Sequence, residues 1–149
     1  MANTLYDKGR ELFLGAQINW ATATIRCCLV DTAAGKYSFS AAHQFFNSVN
    51  QNGSVIAPAT GGGIQLVWSG SGSPNLPIVG GAADADDVTF STVSGNSIEA
   101  IVIYQDKGTG DAASPLIAYI DTATGLPITP NGGDIIVTWD NGANKIFRL

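Results

Sequence analysis

The sequence predicts a mainly β protein: a β-sandwich or flattened barrel of about seven to nine short strands, with one short N-terminal helix. Three observations point there. Short runs of apolar and β-branched residues recur along the chain, each closed by glycine, proline or asparagine. Strand-length and helix-length segments do not alternate, which argues against βαβ units and a parallel sheet. The block Ser97–Leu149 reads as four strands with their turns: Ser97–Tyr104, Pro115–Ile120, Asp134–Trp139 and Lys145–Leu149. The rest of the chain is expected to be organised around it.

Length and composition fit that class. A chain of 149 residues makes one domain, residues 1–149, with 45% hydrophobic and only 13% charged residues. The charged fraction is about half of the ~25% usual for soluble domains, so part of the surface is expected to be covered by a partner. Net charge is -5, from 12 acidic and 7 basic residues. The basic residues are scattered, whereas nucleic-acid binding and polybasic membrane contacts both use clustered Lys and Arg. Neither partner is expected. No apolar run approaches the ~20 residues of a membrane span, and Met1–Lys8 lacks the pattern of a signal peptide. Synthesis in a cytoplasm is the expectation, with Cys27 and Cys28 as free, buried thiols on opposite faces of a strand.

Taken in order, Thr4–Leu14 reads as an amphipathic helix capped by Thr4 and ended by Gly15. Leu5, Leu12, Phe13 and Ala16 lie near one face, which docks on the protein's own sheet. Thr22–Val30 is the first strand, with Ala23, Ile25, Cys27 and Leu29 on its core face. Ala41–Val49 has the spacing of a short helical turn, Asn50–Gly53 is a turn, and Ser54–Ala57 a short strand. Residues 58–87 form an irregular Gly/Ser/Pro-rich loop or arm around one strand-like core, Ile64–Trp68. Val88–Phe90 is a short strand. In the last block, Ile98, Val102 and Tyr104 face one way and Ile101 and Ile103 the other, the mark of a central strand. Asn141–Gly142 predicts a type I′ hairpin between Trp139 and Lys145.

The chemistry is sparse. His43 is the single histidine, and no spacing of Cys, Ser or Asp near it forms a recognised triad. Asp84, Asp86 and Asp87, and the loop Asp106–Asp111, lack the pattern of an EF-hand. Gly61–Gly63 is not followed by the Lys-Ser or Lys-Thr of a phosphate loop. No enzyme activity, metal or cofactor is expected. Trp139 alternates with Ile135 and Val137 as a core residue would, while Trp68 fits core and contact roles equally.

Met1–Arg10, Ile18–Trp20, Asp84–Phe90 and Ile98–Leu149 together resemble small virion proteins of tailed bacteriophages, the capsid decoration or cement proteins. Both ends and most of the second half carry the likeness; Pro58–Gly81 does not. The resemblance implies a non-enzymatic protein on the outside of the virion head, bridging subunits of the major capsid protein. It also implies a homo-oligomer, with a trimer preferred. On that reading Leu5, Tyr6, Trp20 and Trp68 are the candidate contacts. Alternatives are a tail- or head-associated carbohydrate-binding module, a head–tail or tail component, and a small hydrolase built on His43.

Overall fold

Three strands rich in branched side chains make the centre of the protein. In the computed structural model, which describes residues 3–149, these are β2 (Ile25–Val30), β8 (Ala100–Gln105) and β9 (Leu116–Ile120). β8 pairs antiparallel with β2 on one side, Cys27 opposite Ile103, and with β9 on the other, Val102 opposite Tyr119. Every residue of β8 and β9 is buried, and in β2 only Arg26 is not. A sheet this apolar on both faces needs two covers.

The other strands complete the main sheet or build the first cover. β1 (Thr4–Leu5) adds to β9, while β3 (Val55–Ala57) and β4 (Ile64–Gln65) share the remaining edge of β2, giving six strands. Two small antiparallel sheets lie over one face. One joins β7 (Val88–Phe90) to β10 (Ile135–Val137); the other runs β11 (Phe147–Arg148), β6 (Ala82–Ala83), β5 (Ile78–Val79). Between them and the main sheet lie Ile25, Cys27, Leu29, Ile101 and Ile103 against Val88, Phe90, Val137 and Trp139. The opposite face carries Cys28, Val30, Val102 and Tyr104, covered by Tyr6, Tyr37, Phe46 and Val49. Phe46 opens a 3-10 turn, Phe46–Ser48, and its ring stacks on Tyr104 at 3.8 Å. The fold is all-β in several antiparallel sheets, with one short α-helix.

That helix, α1 (Asp7–Leu14), follows β1 directly and packs on β9. Gly9 makes the docking possible. A Cβ there would sit 2.9 Å from the Cα of Ile117 and from the carbonyl of Leu116, so only glycine lets the helix lie this close.

Several expectations are corrected. The helix begins at Asp7 because Thr4 and Leu5 hydrogen-bond along β9 instead of capping it, and the Tyr6 N–H donates to the carbonyl of Ile117. The first strand starts at Ile25, since Asn19 folds residues 19–23 into a turn by accepting the N–H groups of Thr22 and Ala23. Both faces of β2 are core. Ile98 joins the layer of Ile101 and Ile103, because Glu99 interrupts the pleat: its N–H bonds Val30, and its carboxylate accepts the Thr32 N–H. Residues 58–87 run along the body. The Leu66 N–H donates to Ile25, the Leu76 N–H to Ala21, and both leucines are buried.

Asn141–Gly142 does not close a hairpin. The Asp140 carboxylate accepts the Gly142 N–H at 2.9 Å, and the Asp87 carboxylate takes the Trp139 N–H at 3.0 Å. With those donors engaged, β10 pairs with β7 and β11 with β6. The last block therefore divides among three sheets, and the described residues hold eleven strands, several of only two residues.

Cys27 and Cys28 are free and buried in different layers, as alternation requires. Burial pushes the Cys27 thiol up to about 12, and Cys28 also upward. Neither thiol is expected to react with Ellman's reagent at pH 8 in the native protein, while both react in denaturant; fast native labelling would contradict this packing. Gly9→Ala separates two opposed effects. Helix propensity alone would stabilise by about 0.5–1 kcal/mol, whereas the backbone clash costs about 1–3 kcal/mol. Urea unfolding is expected to show net destabilisation, with Glu11→Ala on the exposed side of the helix within about 0.5 kcal/mol of the parent.

Candidate interaction surface

The four candidate contacts end in different environments. Tyr6 is fully buried, with its hydroxyl 2.9 Å from that of Tyr37 and its ring 5.4 Å from Phe39. Burial and the neighbouring Tyr37 drive its phenol far above the usual range. Trp20 is also core: its indole N–H donates to the Asp84 carbonyl at 3.0 Å, and its ring meets Phe147 edge-on at 5.3 Å. Each spends its polar atom and most of its apolar face inside the fold, and Trp20 also lines the smaller of two surface depressions. Leu5 is buried in β1 and forms part of the wall of a surface groove. Trp68 is half-buried, bent over Gly70, and its indole N–H donates to the Ser71 carbonyl at 3.0 Å.

Asp84–Asp87 works as an internal clamp. The Asp84 carbonyl receives Trp20, while its carboxylate lies 3.4 Å from the Lys145 ammonium. The Asp86 carbonyl receives the Trp139 indole at 3.1 Å, and its carboxylate accepts the Ser69 N–H at 2.8 Å. With Asp87 on the Trp139 backbone, this one segment fixes three tryptophan-bearing stretches. Among the described residues no three His, Cys, Asp or Glu side chains are grouped to hold a metal ion. His43 is half-buried, with Nδ1 3.1 Å from the Tyr37 hydroxyl, and so ends a hydrogen-bonded line that runs inward to Tyr6.

The surface feature that stands apart is apolar. Leu14 is 90% exposed, Leu149 68%, Ile78 58% and Val79 55%. Leu14, Ile78 and Leu149 line two adjoining depressions of about 600 Å³ and 340 Å³, which share Phe147 and Leu149, and Val79 follows Ile78 in β5. The larger lies between β1 and β11, each the terminal strand of its sheet. Aliphatic side chains in water beside unpaired strand edges are what sheet proteins ordinarily cover.

Of the residues named from the sequence, Leu5 and Trp20 line these depressions, whereas the exposed aliphatic rim was not picked out, although one signal was present. Leu14 lies off the stripe formed by Leu12, Phe13 and Ala16, so a helix docked by that stripe must leave it outside. Ile78 and Val79 stand in a glycine-rich stretch with no readable period, and nothing local marks them as exposed.

No family model matches the chain, and no curated protein matches its sequence.

The clamp yields a stability test. Trp20→Phe leaves the buried Asp84 carbonyl without its donor, and a loss of about 1–3 kcal/mol is expected. Trp68→Phe breaks a bond that water can replace, so it is expected to cost less than Trp20→Phe in the same urea titration. Equal costs would place the two indoles in equivalent environments and contradict the clamp.

Proposed function

We propose that this chain is a non-enzymatic virion structural protein that binds the outer surface of a tailed-phage head and stabilises the capsid, as decoration proteins do. The carrying observation is the exposed apolar surface around Leu14, Ile78, Val79 and Leu149, beside two open strand edges. Such a surface suits a protein partner better than a small polar ligand. The likeness of Met1–Arg10, Ile18–Trp20, Asp84–Phe90 and Ile98–Leu149 to virion proteins supplies the class. Three of those segments meet beside the groove, where β1, Trp20 and Phe147 lie.

The partners are then the major capsid protein and further copies of this chain, with a trimer the preferred form. Copies made in the host cytoplasm would join the exterior of the head. Each copy would bury a modest surface, and repetition over the capsid lattice would make the layer hard to remove. A saccharide-binding role would need open aromatic platforms. The indole N–H groups of Trp20, Trp68 and Trp139 all donate within the chain, and Trp20 and Trp139 are buried, which favours the structural reading. A head–tail or tail role would use the same kind of surface and is separated by the shell that is bound.

Co-sedimentation tests the proposal, using expanded capsids that lack the protein and unexpanded procapsids as control. Saturable binding to the expanded shell alone is expected, and binding at least tenfold weaker for the folded double variant Leu14→Asp/Ile78→Asp. Absence of binding to either shell would overturn the proposal, as would binding to tails only.

A further inference from the structure

We infer that the groove between β1 and β11 receives an extended, carboxylate-bearing apolar segment of another protein, added as a strand to one of the two open edges. This rests on the reading of the groove as the partner-facing surface and specifies the chemistry of what fills it.

Charge decides the occupant. The chain has 12 acidic residues against 7 basic, yet no Asp or Glu side chain lines either depression. The charged side chains of the larger one are Arg10 and Arg148, one associated with each edge strand. The Arg10 guanidinium is held on β1 by Thr4 Oγ1 at 3.2 Å, with Asp7 at 3.2 Å behind it. That ion pair is well exposed, so solvent screens it and leaves most of the guanidinium's donors open. Arg148 lies in β11 and donates to the Gly80 carbonyl at 3.0 Å; among the described residues it has no carboxylate partner.

An acidic protein whose groove is lined by two arginines and by no Asp or Glu side chain, with only the α-carboxylate of Leu149 at its rim, is complementary to an acidic apolar segment. A second copy docked by a two-fold axis would set this patch against itself and bring four guanidinium groups into one interface with no Asp or Glu side chain among the lining residues. The open edges settle the conformation. β11 pairs only with β6 and β1 only with β9 among the described residues, so an entering strand gains main-chain hydrogen bonds. Its alternate side chains would then fall on the apolar floor formed by Leu5, Ala118 and Phe147.

The test pans a library of random blocked nonapeptides on the immobilised full-length chain and measures the best binder by fluorescence polarisation. Expected are peptides in which Asp or Glu alternates with branched or aromatic residues, and binding that weakens as salt rises. Arg10→Glu/Arg148→Glu should weaken binding at least tenfold, and the milder Arg10→Gln/Arg148→Gln at least threefold. Lys107→Glu, on a distant exposed loop, should leave it unchanged. Hydrogen exchange should show new protection at amides of β1 or β11.

The inference is overturned if the selected peptides are basic or uncharged, if no peptide is enriched, or if the arginine variants bind as the parent does. Self-association that the arginine variants abolish would equally overturn it, making the occupant a second copy. The two proposals fail separately. Capsid binding indifferent to both arginines would sink this inference alone, whereas arginine-dependent peptide binding without capsid binding would sink only the decoration reading.

Discussion

Six consecutive pairs between β2 and β8, from Ile25 opposite Gln105 to Val30 opposite Ala100, are the constraint on which the rest of the protein depends. Side chains alternate across a sheet, so this register sends Cys27, Leu29, Ile101 and Ile103 into one layer and Cys28, Val30 and Val102 into the other. A slip by one residue would exchange the two sets. Arg26 opposes the slip. Its guanidinium is held by the Asp106 carboxylate at 2.7 Å and the Gly63 carbonyl at 2.8 Å, across the edge where β4 joins. Gly63 is the residue that permits this approach, since a Cβ there would lie 2.8 Å from that of Arg26 and 2.9 Å from the Tyr104 ring. One half-buried ion pair thus contributes less to net stability than to fixing which face is which.

The two covers are built differently, and the difference produces the groove. Aromatic side chains from the segment after β2 close the second layer: Phe39 stacks on Tyr119 at 4.4 Å, and Phe46 on Tyr104. The first layer is closed by small sheets that the Asp84–Asp87 clamp ties down. Phe147 in β11 packs against Trp20 and, at 6.0 Å, against Phe13 of α1. Those contacts keep β11 on the small-sheet layer, so it does not continue the main sheet beyond β1. A barrel would have joined the two edges and removed both. Here they remain open, with the groove between them.

What was legible in the sequence follows from how local each determinant is. Burial of β8 on both faces is written in consecutive apolar residues, and the placement of Cys27 and Cys28 in opposite layers follows from their adjacency. Val88–Phe90 and the strand ending at Ala57 were likewise marked by nearby turns. Partner choice was not legible. Asn141–Gly142 carries a strong local hairpin signal, but Asp87, 52 positions before Trp139, takes the N–H on which its ladder would begin. Thr4 is a sound helix cap until the edge of β9 offers a competing set of hydrogen bonds. Tyr6 and Trp20 illustrate the same limit at the surface: an aromatic near a chain end reads as a contact residue until a distant carbonyl or hydroxyl is shown to hold it inside. Exposure is a property of the finished arrangement, which is why Ile78 and Val79 could not be told from core residues.

The distribution of polar and apolar groups bears on how such a surface would act. The chain satisfies its large aromatics internally and leaves six large aliphatic side chains in water, four of them (Leu14, Ile78, Val79 and Leu149) at or beside the two depressions. Covering one such side chain completely is worth about 1.5–3 kcal/mol, and these are already partly shielded. Association meanwhile costs about 4–15 kcal/mol in lost freedom of motion. A single contact through the apolar rim alone would therefore come close to cancelling that cost. Strand pairing and charge matching can supply a surplus, and repetition multiplies it. Under the proposed reading, contacts that are weak one by one would be made many times, and a lattice of identical sites would convert marginal affinity into a stable layer.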